Sequence, residues 1–276
     1  MNLAGKVAIV TGASRGVGAA TAELLARRGC AVVCAARATA DRPQPTPGTI
    51  DATVAEIRSA GGTAIAVPTN LADDTSNEAM VARTIAEFGG VDVLVNNAAI
   101  TFPGDIDLPM KRFDLVMNVD LRAPLLTTQL VVPSMRARGG GAIVNVSSLA
   151  ALNAFPGLMA YGMAKAAMER MTIDLAHQLR ADRIAVNTFR IDIPVASEGF
   201  LANAPDYDTA DWEPPMVAAE GIVWMLEQPP TYTGVNIGMA RLRHDEGIMA
   251  SRSERPHVQG ADLIVENPIK PPTRSF

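Results

Sequence analysis

The chain has 276 residues, 48% hydrophobic and 19% charged, with a net charge of −5 at pH 7. That is enough sequence for one large domain with a full core, and the acidic balance supplies no basic patch for nucleic acid. No apolar run approaches the ~18 residues of a membrane span, and the first strand signal begins near Val7 with no room for a leader; a cytoplasmic protein without nucleic-acid or membrane partners is expected.

In chain order, KVAIV (6–10) reads as a strand and ATAELLARRG (20–29) as a helix stopped by Gly29. AVVCAA (31–36) is again strand-like. ATADRPQPTPG (38–48), with three prolines, is a loop. An amphipathic helix over 49–62, a strand over 64–67, a helix over 75–90 with a Ser/Thr cap and a strand over 91–96 follow. A helical region from Met110 to Arg138 is expected to be interrupted at Pro124 and Pro133. GAIVNV (141–146) and IAVNTF (184–189) are strands around a helix over 160–180. Residues 190–215 read as an irregular loop, 216–228 as a helix and 233–238 as a last strand.

Strands alternating with helices of this length predict an α/β fold: a single-domain doubly wound parallel sheet with helices on both faces. Residues 1–240 form that domain, with 190–215 as a substrate loop. Residues 241–276, polar and proline-containing, are expected to pack as an extension on their own or a neighbouring subunit. Cys30 and Cys34, about 13 Å apart if both lie on one strand, are too far apart for a disulfide. No cysteine or histidine spacing suggests a metal, and His177, His244 and His257 form no triad order.

Two stretches carry chemistry. TGASRGVG (11–18) lies between a strand and a helix, and its Gly12, Gly16 and Gly18 allow a tight turn and close approach of a pyrophosphate to the helix N-terminus. At the end of the second strand, Ala36 stands where an acid would hold the ribose of NAD, and Arg37 follows. Arg37 with Arg15 suits a 2′-phosphate, so NADP(H) is the expected cofactor, with NAD(H) as the alternative. In AYGMAKAAMERM (160–171), Tyr161 and Lys165 share a helix face. An ammonium there favours the phenolate and lowers the phenol's pKa, making it a usable proton donor and acceptor.

With VNNAA (95–99), Asn118, Ser148 and YGMAK (161–165) added in order, residues 3 to 190 resemble the short-chain dehydrogenase/reductase family, whose fold is of the Rossmann type. The resemblance implies that Tyr161 is the general acid and base, that Lys165 tunes it and holds the nicotinamide ribose, and that Ser148 orients the substrate oxygen. It implies that Asn118 sits in a locally opened helix and holds a relay water. The cofactor would lie against Gly12, Ser14, Arg15, Gly16, Val17, Gly18 and Arg37. Asn70, Leu71, Asn96, Asn97, Ala98 and Ala99 would border its adenosine side. The implied reaction interconverts a carbonyl and a secondary alcohol, in a homodimer or homotetramer.

Two departures stand out. Ile191 and Asp192 replace the family's usual Pro-Gly, leaving Ile193 and Ser197 as candidates for the nicotinamide contacts. The glycine-rich end after the last strand is replaced by TGVNIGMARLRHDEG. Phe200, Tyr207 and Trp212 in the acidic 192–215 loop read as a lid over an apolar substrate or as ordinary surface packing. A second functional reading, a nucleotide-binding sensor that does not catalyse, is prompted by the altered 191–197 loop; dehydratase or epimerase chemistry is disfavoured by the lack of a further acid–base pair.

Overall fold

The computed structural model describes residues 1–202 and 208–255. Its strands are β1 Val7–Thr11, β2 Ala31–Ala36, β3 Thr63–Pro68, β4 Val93–Asn96, β5 Gly141–Ser148, β6 Ile184–Ile191 and β7 Asn236–Gly238. They pair in parallel in the order β3-β2-β1-β4-β5-β6-β7. The chain therefore leaves β3 at one edge and returns beside β1, which opens a crevice at the carboxyl ends of β1 and β4.

Alternate side chains of each strand enter opposite cores. Ala8 and Val10 pack with Leu25, Ile50 and Ile222, whereas Ile9 packs with Met80, Met135 and Ile184. Helices α1 (Gly16–Arg27), α2 (Ile50–Ser59) and α8 (Pro215–Glu227) cover the first face. Helices α3 (Asp74–Phe88), α5 (Ala123–Ala137) and α6 (Met159–Leu179) cover the second. This is the doubly wound sheet that the alternating pattern predicted. A polar ladder crosses the second face: Thr127 donates to Asn96, Asn96 to Asn145, and Asn145 and Thr188 to Thr172, at 2.7–3.0 Å. Each buried amide thereby has a partner, which keeps the layer beneath the site in one register.

The structure corrects three local expectations. The region from 110 to 138 is not broken at its prolines. It runs as α4 (Met110–Met117), a π-turn over Asn118–Arg122, and α5. Pro124 enters in the first turn of α5, where its missing N–H costs least. Pro133 is exposed, as is Gln129 one turn earlier, so the carbonyl it leaves without a bond faces water. Second, α3 is capped by Asp73, whose carboxylate accepts from Thr75 N at 3.1 Å, rather than by Ser or Thr. Third, the polar stretch after β7 begins with a helix, α9 (Met239–Glu246), whose Leu242 and Arg243 are buried. A short helix, α7 (Glu198–Leu201), starts the loop after β6.

Cys30 and Cys34 are buried free thiols, both pushed up to about 12, chiefly by burial, and so unreactive. Among the described residues, no helix is long and apolar enough to cross a membrane.

Candidate active site

The crevice begins at the glycine loop. Gly12 and Gly16 adopt positive φ, +69° and +56°. A Cβ on Gly12 would come within 2.9 Å of Ala98 Cα, and one on Gly18 would overlap the Gly12 carbonyl. Asn97 fastens β4 to this loop by donating to Thr11 O at 2.9 Å, and Thr11 Oγ1 accepts from both Asn97 N and Ala98 N at 3.1 Å. Helix α1 starts at Gly16 with no capping side chain and no acid in its first turn. Its N–H groups and positive dipole end suit an anion, and the Glu198 carboxylate stands near them, 3.5 Å from where a Gly16 Cβ would lie. The residues present fit a dinucleotide pyrophosphate. Asn96 is not part of this surface, because its amide is spent on the buried ladder.

The two arginines expected to share a phosphate have different surroundings. Arg15 Nε donates to Pro47 O at 2.6 Å, and Nη2 to Thr46 O and Gly48 O at 2.8 and 3.2 Å. Its guanidinium clamps the proline-rich insert onto the glycine loop. Burial pulls its pKa down, against the charge of Glu198. Arg37 is exposed and has no hydrogen bond or ion pair among the described residues. Of the two, Arg37 is the free cation. Asn70 is exposed near the loop end, Leu71 packs beneath it with Val119 and Ala98, and Ala99 is exposed.

On the other side of the crevice, β5 ends at Ser148 and α6 begins two residues before Tyr161. Ser148 stands beside Tyr161 and acts to hold its hydroxyl's pKa down. One turn on, Lys165 is 1% exposed; its ammonium donates to Val146 O at 2.9 Å and stands 5.5 Å from the Tyr161 ring centroid. Asn118 opens the π-turn facing α6 and donates to Ala72 O at 3.1 Å. Ser148, Tyr161 and Lys165 thus lie together at one end of the crevice, and Asn118 lies in the π-turn packed against α6.

The expected lowering of the phenol's pKa is not found in the ligand-free protein. Burial pushes Tyr161 up and the charge of Asp120 adds to it, while Ser148 opposes. Lys165 is itself pulled down by burial, against the charges of Asp120 and Glu169. A buried ammonium beside two acids has little field left for the phenol. Sequence reasoning passed over Asp120, two residues after Asn118, although a lone acid in the apolar stretch VMNVDLRAPLL was its visible signal.

The two departures from the family pattern meet each other. Asp192 Oδ1 accepts from Ala240 N at 2.9 Å at the start of α9, and its carboxyl packs on Gly238 where any Cβ would collide. Burial pushes this acid up to about 6. Ile193 is 3% exposed and belongs to the core, while Ser197 caps α7 and lies against Gly16. The loop that follows leaves and re-enters through one neck. Ala196 N donates to Glu213 O and Glu213 N to Pro194 O, both at 2.9 Å. The Glu213 carboxylate takes Arg243 Nη2 at 2.9 Å and Arg252 N at 2.8 Å. Within the loop, Phe200 packs edge-on against Trp212 with ring centroids 4.8 Å apart; Tyr207 lies outside the described residues. Among the described residues, no cluster of three His, Cys, Asp or Glu could hold a metal.

Comparison with known proteins agrees with this geometry. Residues 6–193 match the short chain dehydrogenase family. The mouse (Mus musculus) hydroxysteroid dehydrogenase-like protein 2 is 34% identical over 251 residues, 89% of this chain and 50% of that protein. The chain thus spans about half the length of this relative. A solved structure from Xanthomonas campestris, carrying a provisional dehydrogenase assignment, superposes with a TM-score of 0.82 at 30% identity, covering 93% of this chain and 96% of the other. A metagenomic short-chain oxidoreductase in complex with NADP superposes with a TM-score of 0.71 at 29% identity, covering 86% and 97%. The glycine loop, the order of the sheet and these matches together establish that the chain belongs to the short-chain dehydrogenase/reductase family of NAD(P)-dependent oxidoreductases.

Proposed function

We propose that the protein is an NADP(H)-dependent oxidoreductase that interconverts a carbonyl and a secondary alcohol. The observation that carries this reading is Tyr161, beside Ser148 at the end of β5 and with the buried Lys165 ammonium 5.5 Å from its ring centroid, across the crevice from the N-terminus of α1. The nicotinamide, when bound, supplies or accepts the hydride. The chain's own work is binding, orientation and proton handling. Gly12, Ser14, Gly16, Val17 and Gly18 cradle the pyrophosphate, and Arg37 meets the 2′-phosphate. Ser148 donates to the substrate oxygen. Tyr161 gives that oxygen a proton in reduction and takes one in oxidation. Lys165 holds the nicotinamide ribose, and Asn118 anchors the π-turn that faces the pair.

The NADP complex of the metagenomic relative supports the cofactor assignment. The engagement of Arg15 by the insert supports assigning the phosphate contact to Arg37. Fluorescence titration is therefore expected to show tighter binding of NADPH than of NADH, with Arg37→Ala losing on the order of tenfold for NADPH (about 1.4 kcal/mol) and little for NADH. Equal binding of both cofactors by the wild type, or an unchanged Arg37→Ala, would remove NADP(H) preference. Gly18→Ala forces the loop open against the Gly12 carbonyl, and a loss of roughly tenfold or more is expected for both cofactors. Turnover of NADPH with a panel of ketones and aldehydes tests the reaction class. Tight cofactor binding with no hydride transfer to any of them would favour the sensor reading instead. We place catalysis in the cytoplasm and in a homodimer or homotetramer, for which exposed Leu115, Leu125 and Met163 offer apolar surface; sedimentation measures the latter.

A further inference from the structure

Tyr161 is the third residue of α6, in a first turn that has neither a capping side chain nor an acid. The bond that joins this turn to the preceding chain runs from Gly162 N to Leu158 O, at 2.8 Å. A helix end of this kind frays unless something outside the helix holds it. The loop after β4 does so. Gly104 N donates to Gly157 O at 3.0 Å, and Gly104 pairs in parallel with Leu158, the residue before α6. Gly157, at φ +81°, turns its N–H onto the Asp105 carboxylate and donates to both oxygens, each at 2.9 Å. The loop then closes on itself, with Leu108 N donating to Asp105 O at 3.0 Å. Leu108 enters the buried cluster that contains Ala160 and Ala164, which precede Tyr161 and Lys165 in the chain. The other end of the loop is fixed at Ala98, whose N–H donates to Thr11 Oγ1. One loop therefore runs from the glycine-loop side of the crevice to the start of α6. Asp105 is exposed, so its bonds add little to the stability of the whole fold; what they hold is local.

We propose that Asp105 is a positioning residue for the reaction, the fastening that keeps the first turn of α6, and with it Tyr161, in register with the cofactor side of the crevice. The inference rests on the reading of Tyr161 given above.

Asp105→Ala removes both acceptors, whereas Asp105→Asn keeps one oxygen for Gly157 N. Hydrogen exchange over residues 157–163 reads the turn without reference to catalysis, and steady-state reduction of a carbonyl by NADPH reads the consequence. In Asp105→Ala, exchange over 157–163 is expected to rise about tenfold or more while the rest of α6 is unchanged. The kcat is expected to fall roughly tenfold or more, since a misplacement of about 1 Å suffices for such a loss. NADPH affinity is expected to stay within about twofold, because the interaction lost is one made in the transition state. Asp105→Asn is expected to recover most of the rate and most of the protection. Unchanged exchange over 157–163, or an unchanged kcat, would overturn the proposal. So would a fall in NADPH affinity as large as the fall in kcat, which marks general damage to the crevice. A wild type that reduces no carbonyl of the panel would overturn the functional reading, and the role in the reaction with it, even where exchange over 157–163 rises, so the two failures are told apart. If Asp105→Ala does not fold, Asp105→Ser, whose shorter side chain withdraws the acceptor, is read by the same outcomes.

Discussion

Tyr161→Phe is expected to bind NADPH within about twofold of the wild type and to lose on the order of 10²–10⁴ in kcat, the range of a positioned acid–base group. The substitution removes one oxygen from a side chain already held between Ser148 and Lys165, so the ring and its packing against the cleft remain. Phe cannot protonate an alkoxide, and the neighbouring Ser148 hydroxyl already accepts from Ala150 N at 3.3 Å. Loss confined to kcat would mark an interaction made in the transition state. A fully active variant would end the proposal that Tyr161 handles the proton. A variant with lost cofactor binding would show instead that the phenol is part of the cofactor site. Because burial and Asp120 both push the phenol up, alcohol oxidation, which needs the phenolate, is expected to rise with pH well past neutrality, whereas carbonyl reduction keeps its proton source across that range.

Arg190→Leu is expected to destabilise the fold by about 3–5 kcal/mol, the usual consequence of removing one partner of a buried ion pair. Arg190 and Glu169 are each almost completely buried and joined by two bonds, so the variant leaves a carboxylate in the core with only Ser147 to satisfy it. Urea unfolding of the wild type and the variant measures the loss. Adding Glu169→Met should recover most of it, because a well-packed apolar pair of similar volume replaces a desolvated one at little net cost. A single-variant loss below about 1 kcal/mol would show that Glu169 finds another partner or takes up a proton without penalty.

The sheet and the neighbourhood of Ser148, Tyr161 and Lys165 were readable from local signals. Continuous apolar runs such as AVVCAA and GAIVNV announce strands buried on both faces, and the positions of Ser148, Tyr161 and Lys165 follow from a strand end and one helical turn. What escaped the sequence depended on contacts far apart in the chain. Asp192 looked like a defect in a Pro-Gly position, and GMARLRHDEG like the loss of a glycine-rich end. In the fold Asp192 meets the backbone of Ala240, so each irregularity is the other's complement. Arg15 reads as a phosphate ligand, and pattern alone does not reveal that three carbonyls of the 46–48 insert also converge on it. Asp120 was silent for a similar reason. Helical spacing says which residues share a face, but not which of them is buried against another helix. The prolines of α5 misled because their effect depends on where the lost hydrogen bond points, to solvent or to the core.

The neck at Glu213 has a consequence for how this chain's loop could be exchanged. Pro194, Ala196 and Glu213 close the loop on itself, and Arg243 and Arg252 lock the closure from α9 and the segment after it. Whatever lies between Ser197 and Trp212 is therefore a cassette. Its length and side chains can be exchanged, by evolution or by a protein engineer, without shifting the register of β6 against β7 or the distance from Ser148 to Tyr161.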